Sequence, residues 1–296
     1  MILHQVDAFT RTPFTGNAAG VVLSAEGLSD AQMLAVAREL NNSETAFVLP
    51  ADGADHDVRV RFFTPTVEVP TCGHATVATH FARAVEYGLP SGALVQKTGT
   101  GLLQGIEIQR AGDRVSIGMD QGIASFGPEL RPDQVDRLLS ALGCGRADLG
   151  AGPVQVVSTG HSKVLVELRD RDVVDGLRPD AAALTTLSQE VGSNGYFAFT
   201  RATGEARLLT WSRMFAPAIG ISEDPVTGNG HGPLGAYLVR HGLVPAADGV
   251  LTFTGRQGEA MGRPGEVRVT VRTRGSQVLA SIAGDAAIAF RAELHL

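Results

Sequence analysis

Charge, aromatic residues and cysteine are all scarce in this sequence. Of its 296 residues 19% are charged, the formal net charge is −6, and 5% are aromatic. No basic stripe interleaved with aromatics occurs, which argues against a nucleic-acid surface. The two cysteines, Cys72 and Cys144, lie far apart. They make no disulfide scaffold and suit a reducing compartment. No apolar run approaches the roughly 18 residues of a membrane span, and no charged-then-apolar leader precedes the first strand pattern, Ile2 to Phe9. The chain reads as a soluble, cytoplasmic protein without a membrane or nucleic-acid partner. Also missing are Gly-x-x-x-x-Gly-Lys-Ser/Thr, a strand-anchored Gly-x-Gly-x-x-Gly and His-Glu-x-x-His. No nucleotide cofactor and no metal are therefore expected.

What the sequence does contain, it contains twice. Residues 63–77 and 215–232 each carry Phe-x-Pro, a short acidic stretch, a glycine turn after a proline, and then an apolar run. The turns are Thr71-Cys72-Gly73-His74 and Thr227-Gly228-Asn229-Gly230. Helical patterns run from Asp30 to Leu40 behind the capping residue Ser29, from His74 to Tyr87, from Pro132 to Leu142, from Asp180 to Val191 and from Gly232 to His241. Thirty-six glycines and period-two segments such as Val115-x-Ile117-x-Met119 and Val267-x-Val269-x-Val271 point to many strands. A repeat near 150 residues is a domain duplication rather than a solenoid. The predicted organisation is a first half over 1–121, a connector with a helix over 122–151 and a second half over 152–296, with the last strands free to cross back to the first half. Each half is expected to be a strand-rich layer wrapped on one apolar helix, with a site between the halves.

The two copies differ in ways that decide which chemistry they allow. Each glycine turn feeds a helix start, where free N–H groups favour a carboxylate. Gly73, Gly228, Asn229 and Gly230 are thus candidates for holding a small acid, against the ordinary alternative of a tight turn. Cys72 aligns with Thr227, so a symmetric two-thiol mechanism is excluded, and Cys72 becomes a small residue packed beside the site. Glu44, in Asn42-Ser43-Glu44-Thr45-Ala46-Phe47, stands where a helix ends and a strand begins. Its counterpart in Gly192-Ser193-Asn194-Gly195-Tyr196-Phe197 is read as Asn194. One carboxylate without a mate suits a general acid/base that carries a proton on one face of a substrate. The bland alternative is a surface glutamate. His74 at a helix start is a candidate proton handler or a structural histidine. Asp224 could hold a substrate amine or orient His74, with Glu68 a candidate first-half partner, against the ordinary alternative of an acid favoured by the nearby helix dipole. Gly160-His161-Ser162-Lys163 could carry a substrate-facing polar group and could equally be a loop.

Several of these segments together resemble one family. Val6-Asp7-Ala8-Phe9 with Pro13-Phe14-x-Gly16-Asn17, then Ser43-Glu44-Thr45-Ala46-Phe47, Glu68-Val69-Pro70-x-Cys72-Gly73-His74-Ala75-Thr76 and Glu223-Asp224-Pro225-Val226-Thr227-Gly228 resemble the PhzF-like family of phenazine biosynthesis in order and spacing. The resemblance covers nearly the whole chain. It implies an α+β, diaminopimelate-epimerase-like fold of two pseudo-symmetric strand-rich barrels, each around a central helix. It further implies a cofactor-independent isomerase acting on a small cyclic or amino carboxylic acid, and a homodimer. Glu44 maps onto the family's proton carrier. His74 and Asp224 map onto assisting residues, and Asn17 joins Cys72 and the glycine turns as a substrate-binding candidate. Where the family commonly has Thr-Gly-Ser-Ala, this chain has Thr227-Gly228-Asn229-Gly230, which puts the family's own substrate in question. The rival readings are an epimerase or racemase of the same fold, for which Cys72 and Asp224 are the available pair of bases, and a non-catalytic protein that binds small acids.

Overall fold

A computed structural model describes residues 1–295. The chain divides into two compact units, 1–120 with 283–296 and 121–282. No helix among the described residues is long and apolar enough to cross a membrane.

In the first unit β1 (Ile2–Ala8) pairs with β2 (Asn17–Val22), and β2 runs parallel to β3 (Glu44–Pro50) after the outer helix α1 (Asp30–Leu40). The ladder continues through β4 (Val58–Phe63), which carries the short β5 (Glu68–Val69). After α2 (Gly73–Glu86) it goes on through β6 (Gly92–Thr98), β7 (Leu103–Ala111) and β8 (Arg114–Ile123). Residues 283–293 close it, pairing with β1 on one side and β8 on the other. The result is an eight-stranded barrel. Ser116 Oγ donates to Gly284 O at 3.2 Å across that closure. The helix α2 packs on β1, β2, β3 and β7. Its residues Ala75, Thr76, Val77, Ala78, Thr79, His80, Ala82 and Ala84 are all buried, so it is covered nearly all round. Their small size lets the strands approach a central helix closely. α1 covers the outside through Met33, Val36 and Ala37, packed on Leu3, Val22, Phe47 and Phe63.

The second unit repeats the plan. β9 (Ser125–Glu129), β10 (Gln155–Ser158) and β11 (Ser162–Glu167) are antiparallel neighbours, with α3 (Pro132–Leu142) between the first two. After α4 (Arg171–Gly176) and the outer α5 (Ala181–Val191), β12 (Tyr196–Thr200) lies parallel to β11. β13 (Thr210–Ala216) follows, bearing the short β14 (Ile221–Asp224). After α6 (Gly228–Arg240) come β15 (Val250–Gln257), β16 (Gly265–Arg274) and the first part of β17 (Gln277–Glu293). Ala124 N donates to Val278 O at 2.8 Å and closes this second ladder. α6 is buried from Gly230 to Leu238 and packs on β10, β11, β15 and β16. α3 and α5 cover the outside in a core with Val164, Val166, Tyr196, Trp211 and Phe215.

Candidate active site

In the first unit the chemistry gathers where β3 begins and α2 begins. α1 ends on Asn41 in the left-handed region, φ 51°. The chain then turns, and Glu44 opens β3 opposite Ala19. Cys72 is the extended N-cap of α2 and offers no side-chain cap. The opening N–H groups of that helix are therefore available to a ligand. Glu44 Oε2 lies 3.4 Å from His74 Nε2, with the two side chains 16% and 9% exposed. Ser43 Oγ is 3.3 Å from the same nitrogen, and Cys72 Sγ is 3.4 Å from His74 Nδ1. His74 is thus held on both ring nitrogens, with a carboxylate on one side and a thiol on the other. Asn17 is buried at the start of β2, on the same face as Ala19.

Three potential ligand atoms of Glu44, Cys72 and His74 lie within 4.8 Å of one another, so this cluster could also hold a cation. No local motif signals it, because Glu44 comes from a distant strand. Gly73 is not there for want of space: a Cβ would come no nearer than 3.7 Å, to Met119. Glu68, read as the partner of Asp224, is engaged instead by Arg61, whose Nε and Nη2 donate at 2.9 and 2.6 Å. Cys144 packs against the outer core of the second unit. Burial, helped by Asp148, pushes its thiol up to about 11.

The corresponding corner of the second unit lies where β14 ends and α6 begins. Thr227 caps α6 and donates its hydroxyl to Asp224 in a short hydrogen bond. Gln257, almost wholly buried, braces both: its Nε2 donates to Asp224 O at 2.7 Å and Thr227 Oγ1 at 3.1 Å, and its Oε1 accepts from Thr227 N at 3.0 Å. Gly228, Asn229 and Gly230 form the first turn of α6, and Asn229 Oδ1 is buried without a hydrogen-bond partner among the described residues. Gly230 is required sterically, since a Cβ there would sit 2.3 Å from the Phe197 ring. Gln257 was not readable in advance, because a glutamine in an alternating strand carries no signal.

One point of the internal alignment changes. The helix before each strand ends on a left-handed residue, Asn41 in α1 and Gly192 in α5. Counting from these caps, Glu44 corresponds to Gly195, not to Asn194. The facing of the strands agrees, since Thr45 and Phe47 lie on the α1 side as Tyr196 lies on the α5 side.

Comparison with known proteins agrees with this architecture. The family model described as phenazine biosynthesis-like protein matches residues 6–292. The uncharacterized isomerase YddE of Escherichia coli K12 is 47% identical over 293 residues, covering 98% of this chain and 97% of the relative. The trans-2,3-dihydro-3-hydroxyanthranilate isomerase of Pseudomonas fluorescens is 33% identical over 276 residues, 92% and 91% of the two chains. Among solved structures, the PhzF-family phenazine biosynthesis protein of Bacillus anthracis superposes with a TM-score of 0.91 at 29% identity, over 100% of this chain and 99% of that one. A hydroxyproline epimerase from Agrobacterium vitis shares the fold, with a TM-score of 0.63 at 14% identity over 99% and 91% of the chains.

Proposed function

This chain belongs to the family of phenazine biosynthesis-like proteins, whose curated relatives include isomerases, and we propose that it moves a proton on a small unsaturated carboxylic acid by general acid/base catalysis without a cofactor. The observation that carries this reading is the Glu44–His74 contact at 3.4 Å beside the open first turn of α2. In the proposed reaction the Glu44 carboxylate removes a proton from a saturated carbon next to the double bond. The electron pair moves along the conjugated system. The resulting carboxylic acid then returns the proton to the distal carbon, so one group serves as base and then as acid and the double bond is displaced. Charge is conserved and no electrons leave the substrate.

His74, fixed through Ser43 and Cys72, lies against the Glu44 carboxyl and holds it in place. Backbone N–H groups from Gly73 onward offer a seat for charge that develops in the transition state. Asp224, fixed by Thr227 and Gln257, is assigned to substrate positioning, together with Asn17, Gly228, Asn229 and Gly230. A dimer and a cytoplasmic setting belong to the same proposal, and light scattering on the purified chain tests the first.

The reading is tested by incubating the protein with cyclic and acyclic unsaturated acids, trans-2,3-dihydro-3-hydroxyanthranilate among them, and following double-bond position by NMR. Displacement of the double bond in at least one acid is expected. Asp224→Asn should then raise KM more than it lowers kcat. Proton exchange at a carbon whose double bond stays in place would favour an epimerase instead.

A further inference from the structure

The position of Glu44 in the first unit has an altered counterpart in the second. In the first unit, Ala19 on β2 faces Glu44 on β3. In the second, Val164 on β11 faces Tyr196 on β12, and Val164 N donates to Gly195 O at 2.8 Å. The pair one step earlier is therefore Lys163 and Gly195. Helix caps and strand facing both equate Gly195 with Glu44, so Lys163 takes the place of Ala19. Each pair holds one long charged side chain and one small residue, but the charge has changed sign and strand. Gly195 is the space that admits the lysine: a Cβ there would lie 2.5 Å from Lys163 Cδ.

Lys163 is 6% exposed. An ammonium withdrawn from water this far needs compensation. Among the described residues its hydrogen bonds go to two carbonyl oxygens just before it in the chain, Ser162 at 3.2 Å and His161 at 3.5 Å. An ammonium has three protons to donate, so these bonds leave donor capacity over. Asp224 acts on it electrostatically; β14 brings that carboxylate opposite Met214, whose Cε lies 3.3 Å from the same Gly195 Cβ position. Burial nonetheless pushes the ammonium down to about 8, with Asp224 only partly opposing it.

We propose that Lys163 is a specificity-determining residue of the second unit, which binds the carboxylate of a small organic acid. Its charge and the N-terminal end of α6 both favour an anion. An acid lacking that carboxylate leaves the ammonium buried with carbonyl partners only. The identity of the ligand as a small acid rests on the isomerase reading, but binding can be measured without turnover.

The test compares anthranilate with its uncharged amide, anthranilamide, by calorimetry on the full chain, in the wild type, Lys163→Met and Lys163→Arg. Methionine keeps the unbranched stem that packs over Gly195. The wild type should prefer anthranilate by roughly ten- to a hundredfold, the range of a charge-assisted hydrogen bond. The preference should vanish in Lys163→Met and return in part in Lys163→Arg. On the wild type alone, the ¹³Cε signal of Lys163 should titrate at higher pH with anthranilate bound. This second readout stands even if the variants fail to fold. A preference that survives Lys163→Met, or a wild type in which neither anthranilate nor acetate moves the Lys163 signal, overturns the proposal. A Lys163-dependent preference in a chain without isomerase activity would overturn the isomerase reading and leave the seat intact.

Discussion

At the scale of single residues, the site rests on a few positions where one atom more or less decides the outcome. Gly230→Ala drives a methyl into the Phe197 ring. It should cost about 1–3 kcal/mol, as overpacking in a tight core usually does, and a urea titration against the wild type measures it. Gly73→Ala meets only Met119 at 3.7 Å and should fold with little loss, so the two glycine turns are not equivalent. Glu44 was legible because a charged residue between a helix end and an apolar strand is unusual, and His74 because it opens a helix. Gln257 was not singled out, and Lys163 stood only in a stretch read equally as a carrier of a substrate-facing polar group or as a loop. Their importance lies in burial and in partners remote in sequence, neither of which spacing encodes. The mate of Glu44 was misplaced by one residue because Ser43 matches Ser193 and Phe47 matches Phe197 in type, and the left-handed caps and the strand facing together fix the count.

At the scale of elements, the central helices carry buried histidines whose cost can be measured. His80 in α2 bonds Gln96 at 2.8 Å, and His231 in α6 bonds Thr227 O at 3.0 Å. Burial pushes their pKa values down to about 3 and about 4. The unfolded chain takes up protons near the ordinary histidine value of 6.5, whereas the folded chain does not. Stability is therefore full above pH 6.5 and falls as pH drops toward the folded values. Each histidine contributes a loss of about 1.4 kcal/mol per pH unit in that window. Urea midpoints at pH 7 and pH 5 should differ accordingly, and His80→Gln should reduce the difference; an unchanged midpoint at pH 5 would contradict it. The helix α1 was readable from Ser29 and its apolar spacing, and α3 from Pro132 and Gly143. α6 begins at Gly228, four residues before the run read from Gly232, because its glycines and Pro233 hide the first turn. α4 escaped notice because it is a six-residue helix held by its cap Asp170.

At the scale of the whole molecule, the duplication was visible in the sequence because both copies of the glycine turn keep their order and spacing. The path of the last strand was not. β17 contributes 277–282 to the second unit and 283–293 to the first, yet its alternation of small and apolar residues carries no address. The stretch 122–151 lies with the second unit, where α3 joins the outer core. Built on one plan, the units diverge at one corner: the first places a carboxylate beside an imidazole and a thiol, the second a buried ammonium near a carboxylate. That divergence predicts a single proton carrier rather than a symmetric pair of bases. The most direct test is deuterium incorporation from D₂O into an accepted unsaturated acid, followed by NMR in the wild type, Glu44→Gln and Cys72→Ser. Glu44→Gln should slow incorporation and double-bond displacement together by about 10²–10⁴-fold, with Cys72→Ser close to wild type. Incorporation that persists in Glu44→Gln and disappears in Cys72→Ser would contradict the account.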